Sequence, residues 1–142
     1  MTTIRTADHA FATATPGKAS NIALWTLQVL AALAFLAAGS GKLLGGADMI
    51  ALFDAVGLGQ WFRYVTGSLE VLGAILLIVP GTSAFGSVLL ACVMAGAVVA
   101  HLAVLHTAPT APFVLLALTA LIAWGRRSQL VDLLGSTMSG AL

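Results

Sequence analysis

Charged side chains are scarce in this chain. Only 8% of its 142 residues are Asp, Glu, Lys or Arg, whereas 60% are hydrophobic, and the mean hydropathy is +1.05. A soluble domain carries about 25% charged residues, which cover its water-facing surface. The deficit excludes an ordinary soluble domain and indicates that the lipid bilayer surrounds the chain. Because the net charge is only +1, we expect no nucleic-acid partner.

Cysteine is almost absent as well. The single Cys92 lies in an apolar run, which excludes a disulfide framework and a cysteine-based metal site. A phosphate-binding loop is also lacking, although residues 39–42 read GSGK. Such a loop needs a Gly where Leu36 stands and a Ser or Thr where Leu43 stands. Lys42 must therefore be explained by its surroundings at the end of an apolar segment.

Long apolar runs are what the chain has in abundance. A membrane-spanning helix needs about 20 apolar residues to cross the hydrocarbon core. We predict an all-α integral membrane four-helix bundle with spans at residues 22–44, 61–79, 85–105 and 109–124. The fourth span is the shortest, and its two prolines lie in the first turn, where a missing N–H costs least.

Small residues recur at a spacing of four near the outer ends of two spans. The pairs are Gly41 with Gly45 in the first span and Gly96 with Ala100 in the third. Such residues let helix backbones approach closely, so we expect packing contacts between helices at these positions.

A short amphipathic segment separates the first two spans. Asp48 is positioned to cap a helix there, and Gly57 and Gly59 are positioned to end it. One helical face is formed by the apolar residues Ile50, Leu52, Phe53 and Val56. Aromatic residues typical of the lipid headgroup level follow, at Trp61, Phe62 and Tyr64. We therefore predict a short interfacial helix on the outer membrane surface.

Basic residues flank the bundle at one side. Two precede the first span and two follow the fourth: Arg5, Lys18, Arg126 and Arg127. Because Lys and Arg favour the cytoplasmic side, we expect both termini to be cytoplasmic, in the plasma membrane of a bacterium. The four-span domain then occupies residues 21–127, between a disordered tail at 1–20 and a short tail at 128–142.

Only three ionisable side chains lie clearly within or just below the spans: Lys42, Glu70 and His101. Helix side chains lean toward the N-terminus, so Lys42 and His101 lean into the membrane whereas Glu70 leans outward. A charge at the bilayer centre costs about 2.5–3.5 kcal/mol on insertion scales and usually finds a partner inside the bundle. We predict that the three meet in the outer half of the bundle, with Arg63 and Thr66 close by on the second span.

Two interpretations of this polar cluster stay open. In the first, Lys42 and Glu70 form a structural ion pair that fixes helix register, with His101 hydrogen-bonded nearby. In the second, the cluster binds a proton or a polar ligand. A metal site is not expected, because no second His or Cys accompanies His101.

Four stretches of the sequence resemble the DoxX and DoxX-like membrane proteins. They are GSGKL, then GLGQWFRYVTGSLEVLGAILLIVP, then VMAGAVVAHL, and finally LIAWGRR, in order between Leu27 and Arg127. The resemblance matches that family's lysine, glutamate and histidine to Lys42, Glu70 and His101. It implies a small four-span protein with a redox-linked role, since some relatives are linked to quinol oxidation, thiosulfate oxidation or oxidative-stress complexes. The chain has no haem-ligand pair, flavin motif or CxxC of its own.

The leading hypothesis is an accessory component of a membrane redox system that binds a quinone or another small ligand. A carboxylate and an imidazole near the outer face suit the protons of a quinol. One alternative is a small proton-coupled transporter or channel centred on Glu70. Another is a non-catalytic scaffold that binds membrane partners or a second copy of itself. The sequence leaves open the cofactor, the partner and whether the chain is an enzyme.

Overall fold

The computed structural model describes residues 17–132, and this part of the chain is helical with no strand. Its five helices are α1 (Lys18–Leu44), α2 (Ala47–Val56), α3 (Gln60–Ile78), α4 (Ser83–Ala103) and α5 (Thr110–Gly125). A further helical stretch occupies residues 127–132. The all-helical prediction is confirmed. The expectations for residues 1–16 and 133–142 lie outside the described residues.

The apolar runs of the sequence predicted the bounds of these helices closely. The helices α3, α4 and α5 begin and end within two residues of the predicted bounds, whereas α1 begins at Lys18, four residues earlier than predicted. The reason is that hydropathy marks only the apolar length. The backbone of α1 continues its helical hydrogen bonds through a polar first turn that contains Ser20 and Asn21.

Three helices are long and apolar enough to cross a membrane: α1, α3 and α4. At a rise of 1.5 Å per residue, the 19 residues of α3 extend about 28 Å and the 27 of α1 about 40 Å. The fifth helix is equally apolar but has 16 residues, which extend about 24 Å. The lengths and compositions of these helices are compatible with a lipid environment.

Glycine ends the first two helices. Gly45 follows α1 with a φ of 71°, and Gly57 follows α2 with a φ of 80°, a left-handed conformation that costs glycine little. The start of α2 differs from the prediction, because its N-cap is Gly46 and no side chain caps it. Asp48 lies instead in the first turn, where its charge favours the positive end of the helix dipole.

The helices pack in a closed order, α1 on α3, α3 on α4, α4 on α5 and α5 on α1, while α2 rests on α3. Their shared core contains mostly Ala, Leu and Phe: Ala31, Ala32, Phe35, Ala74, Leu77, Leu90, Met94 and Ile122. In lipid, such cores hold together by close van der Waals packing more than by exclusion of water.

The predicted small residues contribute unequally to this packing: Gly45 lies against α3, where an added Cβ would be 2.9 Å from Arg63 Nη1. A Cβ placed on Gly41 or on Gly96 would meet no atom within 4 Å. The close contact between α1 and α3 is made instead by Gly39, whose added Cβ would lie 2.8 Å from the carbonyl oxygen of Gly67. The predicted packing role of Gly41 and Gly96 is therefore wrong, because both residues border open space.

A partly buried polar network joins the helices at the end where α1 begins. Gln28 is fully buried, and its Nε2 donates to the carbonyl of Leu77 at 2.7 Å. Arg126, which follows α5, donates from Nε to Gln28 Oε1 at 2.8 Å and from Nη1 to Asn21 Oδ1 at 2.9 Å. These bonds tie the start of α1 to the end of α3 and the end of α5.

Candidate functional site

Lys42 and Glu70 form an ion pair at the opposite end of the molecule. Lys42 Nζ lies 2.8 Å from Glu70 Oε2, and the side chains are 18% and 1% exposed. The contact follows from the glycine packing of α1 against α3. Gly39 lies three residues before Lys42 on α1, and Gly67 lies three residues before Glu70 on α3. The closest approach of the two backbones is therefore about one helical turn from the ion pair. The structure thus brings together two of the residues that the sequence singled out.

Arg63 secures the end of the helix that carries Lys42. It is buried within α3, and its Nη1 donates to the backbone carbonyl of Lys42. The last carbonyls of a helix lack partners within that helix, and here a guanidinium from a neighbouring helix supplies one. The Arg63 guanidinium also lies 4.3 Å from the centre of the Tyr64 ring. Arg63 therefore positions Lys42 and does not itself line the cavity described below.

Gln60 extends this network to α2, and sequence reasoning missed it. Its Oε1 accepts from Arg63 Nε at 2.8 Å. Its Nε2 donates to the carbonyl of Ile50 at 2.9 Å and to Asp54 Oδ1 at 2.7 Å. A neutral amide at the start of a helix gives no signal in a search for ionisable groups. Its value lies in joining α2 to the residue that fixes the end of α1.

His101 and Thr66 are close to the ion pair without being bonded to it. His101 Nδ1 lies 2.8 Å from Thr107 Oγ1, in the connection between α4 and α5. Thr66 Oγ1 donates to the carbonyl of Phe62 at 3.0 Å, within its own helix. In the described part of the chain, no hydrogen bond joins either residue to Lys42 or Glu70. The predicted cluster of three therefore has a bonded pair and a histidine with a different partner.

A large cavity connects these residues. Its volume is about 790 Å³, and residues from all five helices line it. Its polar wall residues are Lys42, Thr66, Glu70 and His101, and most of the remaining wall is aliphatic or aromatic. Small-molecule sites in proteins typically enclose roughly 300–1,000 Å³, with apolar walls and a few polar groups that fix orientation.

The ion pair keeps hydrogen-bonding capacity for a ligand. A lysine ammonium has three N–H donors, and Lys42 uses one of them on Glu70. Within residues 17–132, Glu70 Oε1 accepts no hydrogen bond. The site can therefore donate to one ligand oxygen and accept from another. The same residues include no group of three or more His, Cys, Asp or Glu side chains that could hold a metal ion.

Comparison with known proteins places the chain in a family. No curated protein and no solved structure matches it. The sequence profile of the DoxX-like family matches residues 26–123, which is more than half of the chain. That range contains Lys42, Glu70 and His101, all of α2, α3 and α4, and most of α1 and α5. The chain therefore belongs to the DoxX-like family.

Proposed function

We propose that this protein binds a quinone or quinol in the cavity, as an accessory component of a membrane redox system. The observation that carries the proposal is an ion pair with free hydrogen-bonding groups on the wall of an apolar cavity. An apolar cavity favours an apolar ring, and the pair supplies polar contacts at one place on its wall. Family membership supports a membrane setting but does not choose the ligand.

The chemistry of the pair suits both redox forms of such a ligand. A quinone carries two carbonyl oxygens, which accept hydrogen bonds, and Lys42 has free N–H donors. A quinol carries two hydroxyl groups, which donate, and Glu70 has a free carboxylate oxygen. When a quinol is oxidised its two protons leave, and Glu70 and His101 are groups of the cavity wall that can take them up. The two electrons pass to a redox partner in the same membrane.

The proposed membrane arrangement has four spans, with α5 as the fourth and α2 as a helix in the outer interface. The hydrogen bond between Asn21 and Arg126 supports it, because it joins the beginning of the first span to the end of the last. An even number of spans then leaves both termini on one side. The basic residues near that end favour the cytoplasm, in the plasma membrane of a bacterium.

The test measures quinone binding directly. Protein purified from its native membrane is extracted for quinones, and its thermal unfolding in detergent is followed with and without added decylubiquinone. We expect quinone in the extract and a rise in Tm with added quinone. The Glu70→Gln variant should bind at least tenfold more weakly, since a hydrogen bond to a charged group contributes about 1.5–3 kcal/mol.

The matched control is Asp48→Asn, which removes the charge of an exposed carboxylate on α2. It should leave the quinone-dependent rise unchanged. Absence of quinone from the extract, together with an unchanged Tm, would remove the proposal.

A proton-coupled transporter is the second-ranked function. Glu70 in a cavity favours it, whereas the packed core around Phe35, Leu77 and Ile122 lies between the cavity and the other end and weighs against a path. Flux in proteoliposomes that stops in Glu70→Gln would favour transport over quinone binding. Cross-linking in native membranes tests the scaffold alternative. A reproducible heterologous partner would support a scaffold, whereas self-cross-links alone would support a homo-oligomer.

A further inference from the structure

The helices α3 and α4 touch closely at one end only. Near the turn that joins them, a Cβ on Gly73 would lie 2.5 Å from Leu90 Cγ, and one on Gly86 would lie 2.8 Å from the backbone nitrogen of Leu77. Further from the turn, residues of both helices line the cavity, and a Cβ on Gly96 would meet nothing within 4 Å. The two helices therefore separate beyond Leu90.

The gap between them opens to the outside of the molecule. Within α3 and α4, four residues line the cavity and are also exposed: Val65 on α3, and Cys92, Gly96 and Val99 on α4. Val65 is 43% exposed and Val99 is 61% exposed. A residue that has both properties marks the mouth of a cavity. Because α3 and α4 are both long and apolar enough to cross a membrane, this mouth faces lipid. We call these four residues the α3–α4 mouth.

The end of the cavity beside α2 and the α4–α5 connection is lined by apolar side chains, of which Leu58, Val104 and Ala111 are exposed. The apolar face of α2 lines the cavity through Met49, Leu52, Phe53 and Val56, and Phe53 is 5% exposed. Gln60 holds α2 in place by its bonds to Ile50 and Asp54. The connection from α4 to α5 contributes two further apolar residues, Val104 and Leu105. A ligand arriving from water at this end would have to pass these apolar side chains before it reached the ion pair.

We infer that the ligand carries a hydrocarbon tail and enters sideways from the bilayer through the α3–α4 mouth. The inference rests on the proposed function and specifies its ligand class. The headgroup lies at Lys42 and Glu70, and the tail leaves the cavity over Cys92 and Gly96. A lipid-soluble molecule takes this route without crossing water, and its tail stays in contact with apolar side chains throughout.

The test uses the one cysteine in the sequence, which lies at the mouth. Alkylation of Cys92 by N-ethylmaleimide is timed by mass spectrometry on the full chain in detergent micelles at about pH 9, since the thiolate is the reacting form. The two probes are decylubiquinone and duroquinone, which has no tail. Both rings are fully substituted and so do not add to thiols readily. We expect saturating decylubiquinone to slow alkylation at least fivefold and duroquinone to leave the rate unchanged.

A control cysteine is available one turn away on the same helix. Val88 is exposed on α4 but does not line the cavity. In the variant Cys92→Ala with Val88→Cys, neither quinone should slow alkylation. A slower rate there would mean that the quinone only coats the apolar surface, and this result would overturn the inference.

A second pair of variants tests the mouth without a cysteine. Gly96→Phe places a ring in the open space of the mouth, and Ala95→Phe places one on the neighbouring exposed position outside the cavity. We expect Gly96→Phe to weaken decylubiquinone binding at least tenfold, read from the Tm titration, with duroquinone binding unchanged. Ala95→Phe should change neither.

The outcomes separate this inference from the proposed function. Suppose that decylubiquinone raises the Tm but does not protect Cys92, and that Gly96→Phe does not weaken its binding. The sideways route is then overturned and quinone binding stands. Equal protection by duroquinone would place the headgroup at the mouth and overturn the tail assignment. If neither quinone changes the Tm, both the inference and the proposed function fail.

Discussion

At the scale of single residues, the pair of Lys42 and Glu70 dominates the energetics of the site. Glu70 is 1% exposed and Lys42 lies beside it at 2.8 Å, so each charge is the other's main compensation. Removing one partner of a buried pair costs about 3–5 kcal/mol, whereas replacing both with apolar groups of similar volume is often nearly neutral.

We therefore predict that Lys42→Met and Glu70→Leu each lower the Tm in detergent clearly and that the double variant recovers most of the loss. The measurement is a double-mutant cycle on thermal unfolding. Simple addition of the two losses would contradict the pairing, since it would mean that Lys42 is solvated independently of Glu70.

Loss of Arg63 should disturb the site indirectly, through the backbone of Lys42. Arg63→Met leaves the Lys42 carbonyl and the Gln60 side chain without a donor, and we expect a loss of about 1.5–3 kcal/mol in stability, as for other hydrogen bonds to charged groups. The control is Arg127→Met, which changes an exposed arginine on the surface and should shift stability by less than about 0.5 kcal/mol. Equal Tm shifts for the two variants would contradict the positioning role.

At the level of the helices, alanine substitutions at two glycines of α1 should have opposite effects on stability. Gly39→Ala places a methyl group 2.8 Å from the Gly67 carbonyl, a backbone atom that cannot move aside alone. Overpacking of this kind costs about 1–3 kcal/mol, and it should also separate α1 from α3 at the ion pair.

Gly41→Ala, two residues further on, meets open space and replaces a poor helix former, so it should be neutral or stabilising by up to about 1 kcal/mol. Thermal unfolding of the two variants, measured side by side, checks the contrast. A larger loss in Gly41→Ala would mean that the helix faces are assigned wrongly.

The sequence predicted the helices better than it predicted their contacts. Apolar runs located α1, α3, α4 and α5, and the amphipathic spacing of residues 47–56 located α2. The direction in which side chains lean was enough to bring Lys42 to Glu70. Periodicity does not reveal which face of an apolar helix meets its neighbour, because every face is apolar. Gly39 and Gly67 were missed for that reason, and Gly41 was chosen wrongly.

His101 shows a second limit of sequence reasoning. Its position in the cavity wall follows from the length of α4, but its partner Thr107 lies in the connection after the helix. His106 in that connection has a φ of 50°, a backbone turn that no helical pattern predicts. The path of a short connection depends on local backbone geometry. That path decides which side chains of the connection contact the preceding helix.

At the scale of the whole molecule, the two ends of the bundle differ in character. One end holds the cavity, the ion pair and α2, and the other holds the network of Gln28, Asn21 and Arg126. The proposed four-span arrangement would place the second end and both termini in the cytoplasm. Reporter domains fused to either terminus should therefore both be active on the cytoplasmic side, and a reporter inserted after Leu58 should be active outside. Activity of the two terminal reporters on opposite sides would contradict the four-span arrangement.

In the proposed complex, the ion pair in the cavity holds the ligand's headgroup. Titration of decylubiquinone against the wild-type chain and the double variant Lys42→Met with Glu70→Leu tests it most directly, because the double variant is expected to fold. We expect a saturable rise in Tm for the wild type and none for a double variant of comparable starting stability. An equal rise in both would show that the quinone binds without the pair and would overturn the assignment of the headgroup to Lys42 and Glu70.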